Sequence, residues 1–261
     1  MHSSRRLMLF GCPIDSVTMQ QATVLAERSM RLGQPMRHVA LNAAKLVGMR
    51  ENQALFDDVA GANLITADGM GIVLLSHACG SPLPERVTGI DLMIALVEVC
   101  AKRGYRPFFL GAEDDVLCRA VFNLQEQHND LIFAGWRNGY FSRSQEDDIV
   151  RDINNSRADC LFVGLPTPMK EDFMARNAHR LQVPFVMGVG GSFDVLAGKV
   201  RRAPAMMQRM GMEWAWRLGQ EPGRMWHRYL VSNARLAVLL GHALVQRATR
   251  RGVRPAPRHS A

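Results

Sequence analysis

The sequence predicts a doubly wound α/β fold, a mainly parallel sheet with helices on both faces. Three observations predict it. Short apolar runs alternate with longer segments of helical periodicity. Many of the runs end in Gly, Asn or Asp, residues suited to tight exits from a strand. The chain has 261 residues, 48% of them hydrophobic, enough for one large domain with a full core.

Taken in order, residues 6–10 read as a first short strand and residues 11–15 as a turn. Residues 16–32 carry helical periodicity, stopped by Gly33. Residues 38–41 form a strand with Asn42 at its end, and 43–49 and 51–60 are helical. Leu64 to Thr66 are a buried strand, Asp68-Gly69 the turn that ends it, and an apolar helix runs to Ala78. Residues 80–85, with two prolines, are a surface loop. A helix is expected from Thr88 to Arg103. Residues 107–110 are a strand leaving through Gly111-Ala112. The acidic run 113–115 then opens a helix, where carboxylates suit the positive end of the dipole. Residues 131–134 read as a strand, 146–156 as a helix, 160–164 as an apolar strand, 170–181 as a helix and 184–189 as the last strand. This order is Rossmann-like.

After Gly198 the texture changes. Residues 199–261 hold 13 Lys and Arg against 2 Asp and Glu, a balance of +11; residues 1–198 hold 19 against 22, a balance of −3. A near-neutral body thus carries a basic end, which implies a polyanionic partner. Residues 203–219 read as one helix with a stripe of Met206, Met210, Trp214 and Leu218, expected to pack in the core. Pro222-Gly223 break it, and a second helix runs from Arg224 to about Arg250, with Arg224, Arg228 and Arg235 on one face. Tryptophans 214, 216 and 226 interleaved with arginine also fit a membrane-interface contact. The expected organisation is an α/β catalytic domain over 1–198, a helical appendage over 199–250 and a disordered tail over 251–261.

Five cysteines without a Cys-x-x-Cys read as reduced core thiols of a cytoplasmic protein. No signal peptide opens the sequence, and the apolar run 236–245 is short of the ~20 residues a membrane span needs. No Walker loop, Gly-x-Ser-x-Gly or zinc-ligand cluster is present. The run Gly188-x-Gly190-Gly191 is a poor dinucleotide fingerprint, since it follows the last strand and its third glycine is out of register.

The chemistry gathers where strands end. Asn42, Asp68, Gly111, the stretch 167–171 and the stretch 190–194 should share one rim, where open α/β sheets hold ligands. Glycine loops and helix N-termini there suit phosphate. Asp68 reads either as a catalytic base or as a turn or cap aspartate. No Asp-x-Asp occurs to hold a divalent metal on a diphosphate, so charge on a leaving nucleotide falls to arginines and backbone dipoles.

Seven segments match one family in order. They are Leu41-Asn42, Ala67-Asp68-Gly69-Met70-Gly71, Glu85-Arg86-Val87-Thr88-Gly89-Ile90-Asp91, Phe109-Leu110-Gly111-Ala112, Gly135-x-x-x-Gly139-Tyr140-Phe141, the run from Gly188 to Asp194, and Glu213-Trp214-x-Trp216-Arg217-Leu218 with Glu221-Pro222-x-Arg224. On them the chain resembles the WecG/TagA/CpsF glycosyltransferases of bacterial surface polysaccharide synthesis. The resemblance implies an inverting, metal-independent transfer from a UDP-sugar to an undecaprenyl-diphosphate-linked saccharide, with no resident cofactor, at the cytoplasmic face of the cell membrane. It implies Asp68 as base, Asn42 and Arg86 beside it, and Arg217, Arg224 and Arg228 closing over the site. Lys170 and Thr167 fall on the sugar or acceptor, Gly111, Gly190 and Gly191 on the nucleotide, and Asp194 on ribose or uracil, or else on a helix cap. Two positions depart from the family pattern: Ala40, often Thr, and Lys170, usually Gln. Both fall at the implied sugar site, so the donor sugar stays open, as does the oligomeric state, a homo-oligomer included.

Two other classes compete. A nucleic-acid-binding protein would explain the basic end, but that end is Trp-rich and the body lacks an RNA-binding signature. A nicotinamide-dependent oxidoreductase would share the fold, but Gly-x-Gly-x-x-Gly is missing after the first strand.

Overall fold

The computed structural model describes residues 5–220 and 222–252. The elements run β1 (Arg5–Leu9), β2 (Cys12–Ser16), α1 (Met19–Leu32), β3 (Met36–Leu41), α2 (Ala43–Met49), α3 (Gln53–Ala60), β4 (Leu64–Ala67), α4 (Met70–Ala78), α5 (Gly89–Arg103), β5 (Pro107–Gly111) and α6 (Asp114–Gln127). Then come β6 (Gly135–Arg137), α7 (Glu146–Asn155), β7 (Cys160–Gly164), α8 (Met169–Arg176), β8 (Phe185–Gly188), α9 (Ser192–Leu196), α10 (Ala205–Arg209), α11 (Glu213–Gln220) and α12 (Pro222–Gly252). Six strands form one sheet in the order β4-β3-β8-β7-β5-β6, every neighbouring pair parallel. The Rossmann-like α/β expectation holds.

A parallel sheet must be covered on both faces, and two apolar clusters do this. On one face α2, α3, α4, α7, α8 and α12 bury Leu46, Val59, Ile72, Ile149, Phe173 and Leu239 against Val39, Leu41, Ile65 and Leu161. On the other, α1, α5, α6 and α9 bury Ala26, Leu96, Val121 and Phe193 against Phe109, Phe162 and Phe185. The alternation of strand side chains between clusters is the two-residue period of extended chain.

Four sequence expectations need correction. Residues 11–15 are not simply a turn, because β2 pairs with β1 as a hairpin. Phe10 and Gly11, with φ of 51° and 82°, make its two-residue connection, in the handedness such hairpins favour. Asp15 on β2 is buried, receives Arg6 Nε at 3.0 Å and Nη2 at 2.8 Å, and accepts the Ile65 N–H at 2.8 Å, so it ties the hairpin to β4. Residues 131–134 are not a strand; the ladder with β5 starts at Gly135. At a sheet edge, pairing does not require an apolar run. The helix expected over 203–219 breaks at Gly211, which sits at φ 71°. Its stripe is not core either: Met206, Met210 and Trp214 are exposed. Of the five thiols only Cys12, Cys100 and Cys160 are buried; Cys79 and Cys118 are exposed. The tail expected to be disordered lies outside the described residues, apart from the last two residues of α12.

Strands β5 and β7 leave the sheet almost in contact. Gly111 has φ 136°, and a Cβ there would lie 2.6 Å from the Gly164 carbonyl carbon. Both the backbone angle and the space exclude a side chain. Gly111→Ala should therefore cost about 3 kcal/mol or more, read as a lower urea midpoint at unchanged slope.

Candidate active site

Because the six strands run the same way, all their carboxyl ends open on one rim. The register of β3 and β4 pairs Leu41 with Ala67, and the Asp68 N–H continues the ladder to Leu41 O at 2.8 Å. Asn42 and Asp68 therefore leave the sheet side by side. Asp68 is half-buried, and its carboxylate has no hydrogen bond or ion pair among the described residues. It does not cap α4: Gly69 holds the N-cap position, at φ 115°, with no side-chain cap bond. Asn42 does cap a helix. Its Oδ1 accepts the Lys45 N–H of α2 at 3.0 Å, which leaves the amide N–H groups for other partners.

Behind Asn42 lies a buried charge cluster. Lys45 Nζ donates to Ala40 O at 2.6 Å and pairs with Glu171 Oε1 at 2.8 Å. Lys170 Nζ reaches the same oxygen at 3.0 Å and donates to Thr167 Oγ1 at 2.5 Å. Two ammonium groups thus share one carboxylate, joining the start of α2 to the loop between β7 and α8. Burial pushes the Glu171 carboxyl up, but Lys45 and Lys170 more than offset it and hold the group below the usual carboxylate range. Among the described residues Glu171 Oε2 has no hydrogen-bond partner.

Arg86 approaches the same end of the sheet. The Val87 N–H bonds Ala67 O at 2.8 Å, so Arg86 lies beside the exit of β4. Its Nη1 donates to Glu213 Oε2 of α11 at 2.9 Å, rather than pairing with Glu85 or Asp91. Arg202 instead takes Asp91, whose carboxylate also receives Thr88 Oγ1 at 2.6 Å. The turn after Asp68 is held from outside as well. A Cβ on Gly211 would fall 2.5 Å from Met70 Cβ, and one on Gly71 would fall 2.7 Å from Leu236 Cδ2 of α12. The basic end is thus packed against the first turn of α4.

The remaining predicted residues are spread along the rim. Gly111 is buried in the strand contact described above. Gly190, at φ 54°, and exposed Gly191 follow β8. Asp194 lies in the first turn of α9, its carbonyl accepting the Val200 N–H at 3.1 Å. Arg217 is half-buried on α11, without a hydrogen bond or ion pair among the described residues. Arg224 and Arg228 lie on α12, but their side chains are outside the described residues. Lys45, Glu171 and Glu213 had no assigned role in the sequence reading. Lys45 carried a signal, since a lysine in a helix's first turn opposes the dipole and needs a local anion.

A profile of the glycosyl transferase WecG/TagA/CpsF family matches residues 7–252. The chain belongs to this family. Among its relatives is a protein of Bacillus spizizenii, named N-acetylglucosaminyldiphosphoundecaprenol N-acetyl-beta-D-mannosaminyltransferase. It is 33% identical over 184 residues, 70% of either chain. Proteins of the same name from Bacillus subtilis and Staphylococcus aureus are 34% identical over 67% of both chains and 32% identical over 64% of this chain and 65% of the relative. Lys170 contacts the Lys45–Glu171 pair through its side chain, whereas Ala40 meets it only through its backbone carbonyl. No described helix is long and apolar enough to cross a membrane.

Two predictions follow from the charges. Lys45→Met removes one of two cations from a buried carboxylate, and should cost about 3 kcal/mol in chemical unfolding. His38, fully buried on β3 and bonded to Thr66 Oγ1 at 2.9 Å, is pushed down to about 3, by burial first and by Lys45 second. The unfolded chain binds this proton below its ordinary value near 6.5 and the folded chain does not until about pH 3, so stability falls as pH drops through that window. Between pH 7 and pH 5 the loss from this group should be about 2 kcal/mol. Unfolding of His38→Gln at both pH values should show that much less pH dependence.

Proposed function

We propose that this glycosyltransferase moves a hexose-type sugar from a UDP-sugar to a polyprenyl-diphosphate-linked saccharide, by single displacement with inversion. The observation that carries this is the Asp68 carboxylate on the rim, beside Asn42 and without a hydrogen bond or ion pair among the described residues. In the proposed step an acceptor hydroxyl attacks the anomeric carbon and its proton passes to Asp68. The bond to the diphosphate oxygen breaks, and UDP leaves with the electron pair. Asn42, Thr167 and Lys170 orient the sugar or acceptor. Arg86, with Arg217, Arg224 and Arg228 of the basic end, meets the diphosphate charge, which requires no metal in this reading. Gly190, Gly191 and Asp194 line the nucleotide side in this reading, while buried Gly111 supports that rim from within the sheet. The relatives' printed names, with a diphosphoundecaprenol acceptor, support the lipid-linked substrate.

The acceptor's lipid places the reaction at a membrane surface. Exposed Met206, Met210, Trp214, Trp226 and Leu230, within a stretch of +11 balance, support docking of that end at an anionic bilayer. The proposed location is the inner face of the cell membrane, as a peripheral protein.

Asp68→Asn keeps size and hydrogen bonding but cannot take the proton. It should lower kcat by about 10²–10⁴-fold, with an unchanged unfolding midpoint, when the purified chain is assayed with UDP-sugars and a lipid-diphosphate acceptor. Turnover near wild type would remove Asp68 as base.

A further inference from the structure

The pairing of Arg86 with Glu213 carries a consequence for how the diphosphate is met. An arginine offers five N–H donors in a planar fork. Among the described residues only Nη1 of Arg86 is engaged, by one carboxylate oxygen of Glu213 at 2.9 Å. That leaves Nε and Nη2, the side-on edge that matches two phosphate oxygens. Glu213 is itself held by contacts independent of Arg86. It opens α11 directly after the Gly211 turn that packs on Met70. The same helix is clipped to Arg201 O by Trp216 Nε1 at 3.0 Å and Gln220 Nε2 at 2.9 Å. The neighbouring Arg202–Asp91 pair fastens that segment to α5.

We infer that Glu213 is a positioning residue, whose carboxylate turns Arg86 so that its Nε–Nη2 edge faces the diphosphate of the donor. This rests on the proposed UDP-sugar reading and deepens it. The helix α11 then acts on the site through one guanidinium, without touching substrate.

The test is UDP binding by calorimetry on the full chain. The variants are Arg86→Ala, Glu213→Ala, Glu213→Gln, the Arg86→Ala/Glu213→Ala double and Arg202→Gln, each checked for its unfolding midpoint. Arg86→Ala and Glu213→Ala should each weaken UDP roughly tenfold, and the double should be no weaker than Arg86→Ala alone, as expected of residues acting as one unit. Glu213→Gln, which keeps the shape, should fall between Glu213→Ala and wild type. Arg202→Gln should lower the midpoint yet keep UDP affinity within about twofold. If Glu213→Ala left affinity unchanged or tightened it while Arg86→Ala weakened it, Glu213 would not aim Arg86. The proposal would also fall if the losses multiplied in the double variant, or if Arg202→Gln matched Glu213→Ala, since Glu213 would then only dock α11. No loss in Arg86→Ala itself would remove the diphosphate reading and this proposal together.

Discussion

The parallel alignment of all six strands governs this molecule. Parallel strands cannot be joined by tight hairpins, so each connection crosses a face and every strand releases its chain at the same edge. That is why residues as distant in sequence as Asn42, Asp68, Gly111, Thr167 and Gly190 come to one rim. It also explains the composition. A sheet covered on both faces needs strands that are apolar throughout, and polar groups are pushed to the exits. Asp68 is half-buried one residue beyond a strand whose four residues are all buried.

A second constraint lies just below that rim. Lys45, Lys170 and Glu171 are almost entirely withdrawn from water, where an isolated charge would be very unfavourable. Each is tolerated only because the others are in place. The arrangement carries one more positive than negative charge, and it lies beneath Asn42 and Thr167, where the sugar or acceptor is proposed to bind. An apolar filling of the same space could be equally stable, but it would lack that charge and would not tie the Asn42 helix to the Thr167 loop.

The sheet was legible in the sequence because its strands are short apolar runs with abrupt polar or glycine exits. The family segments single out Asp68, Asn42 and Arg86, which lie at the exits of β3 and β4. What stayed hidden was set by distant partners. The strand β2 contains Pro13 and Asp15, poor strand formers, and its buried Asp15 makes sense only once Arg6 and the Ile65 N–H are beside it. The edge strand β6 has no apolar signature. The stripe from Met206 to Leu218 has helical spacing, yet Gly211 divides it and turns much of it to solvent. The partners of Lys45 and Arg86 lie more than a hundred residues along the chain, beyond the reach of any local pattern.

The clasp on Met70 and Gly71 has a temporal side. Gly211 and Leu236 lie about 140 and 165 residues downstream of the residues they touch, so this packing is among the longest-range in the fold. During synthesis the sheet can assemble while the segments that brace the Asp68 turn are still inside the ribosome. A nascent or prematurely terminated chain would own the proposed base but not its support, so the Asp68 turn would be braced only with the final helices.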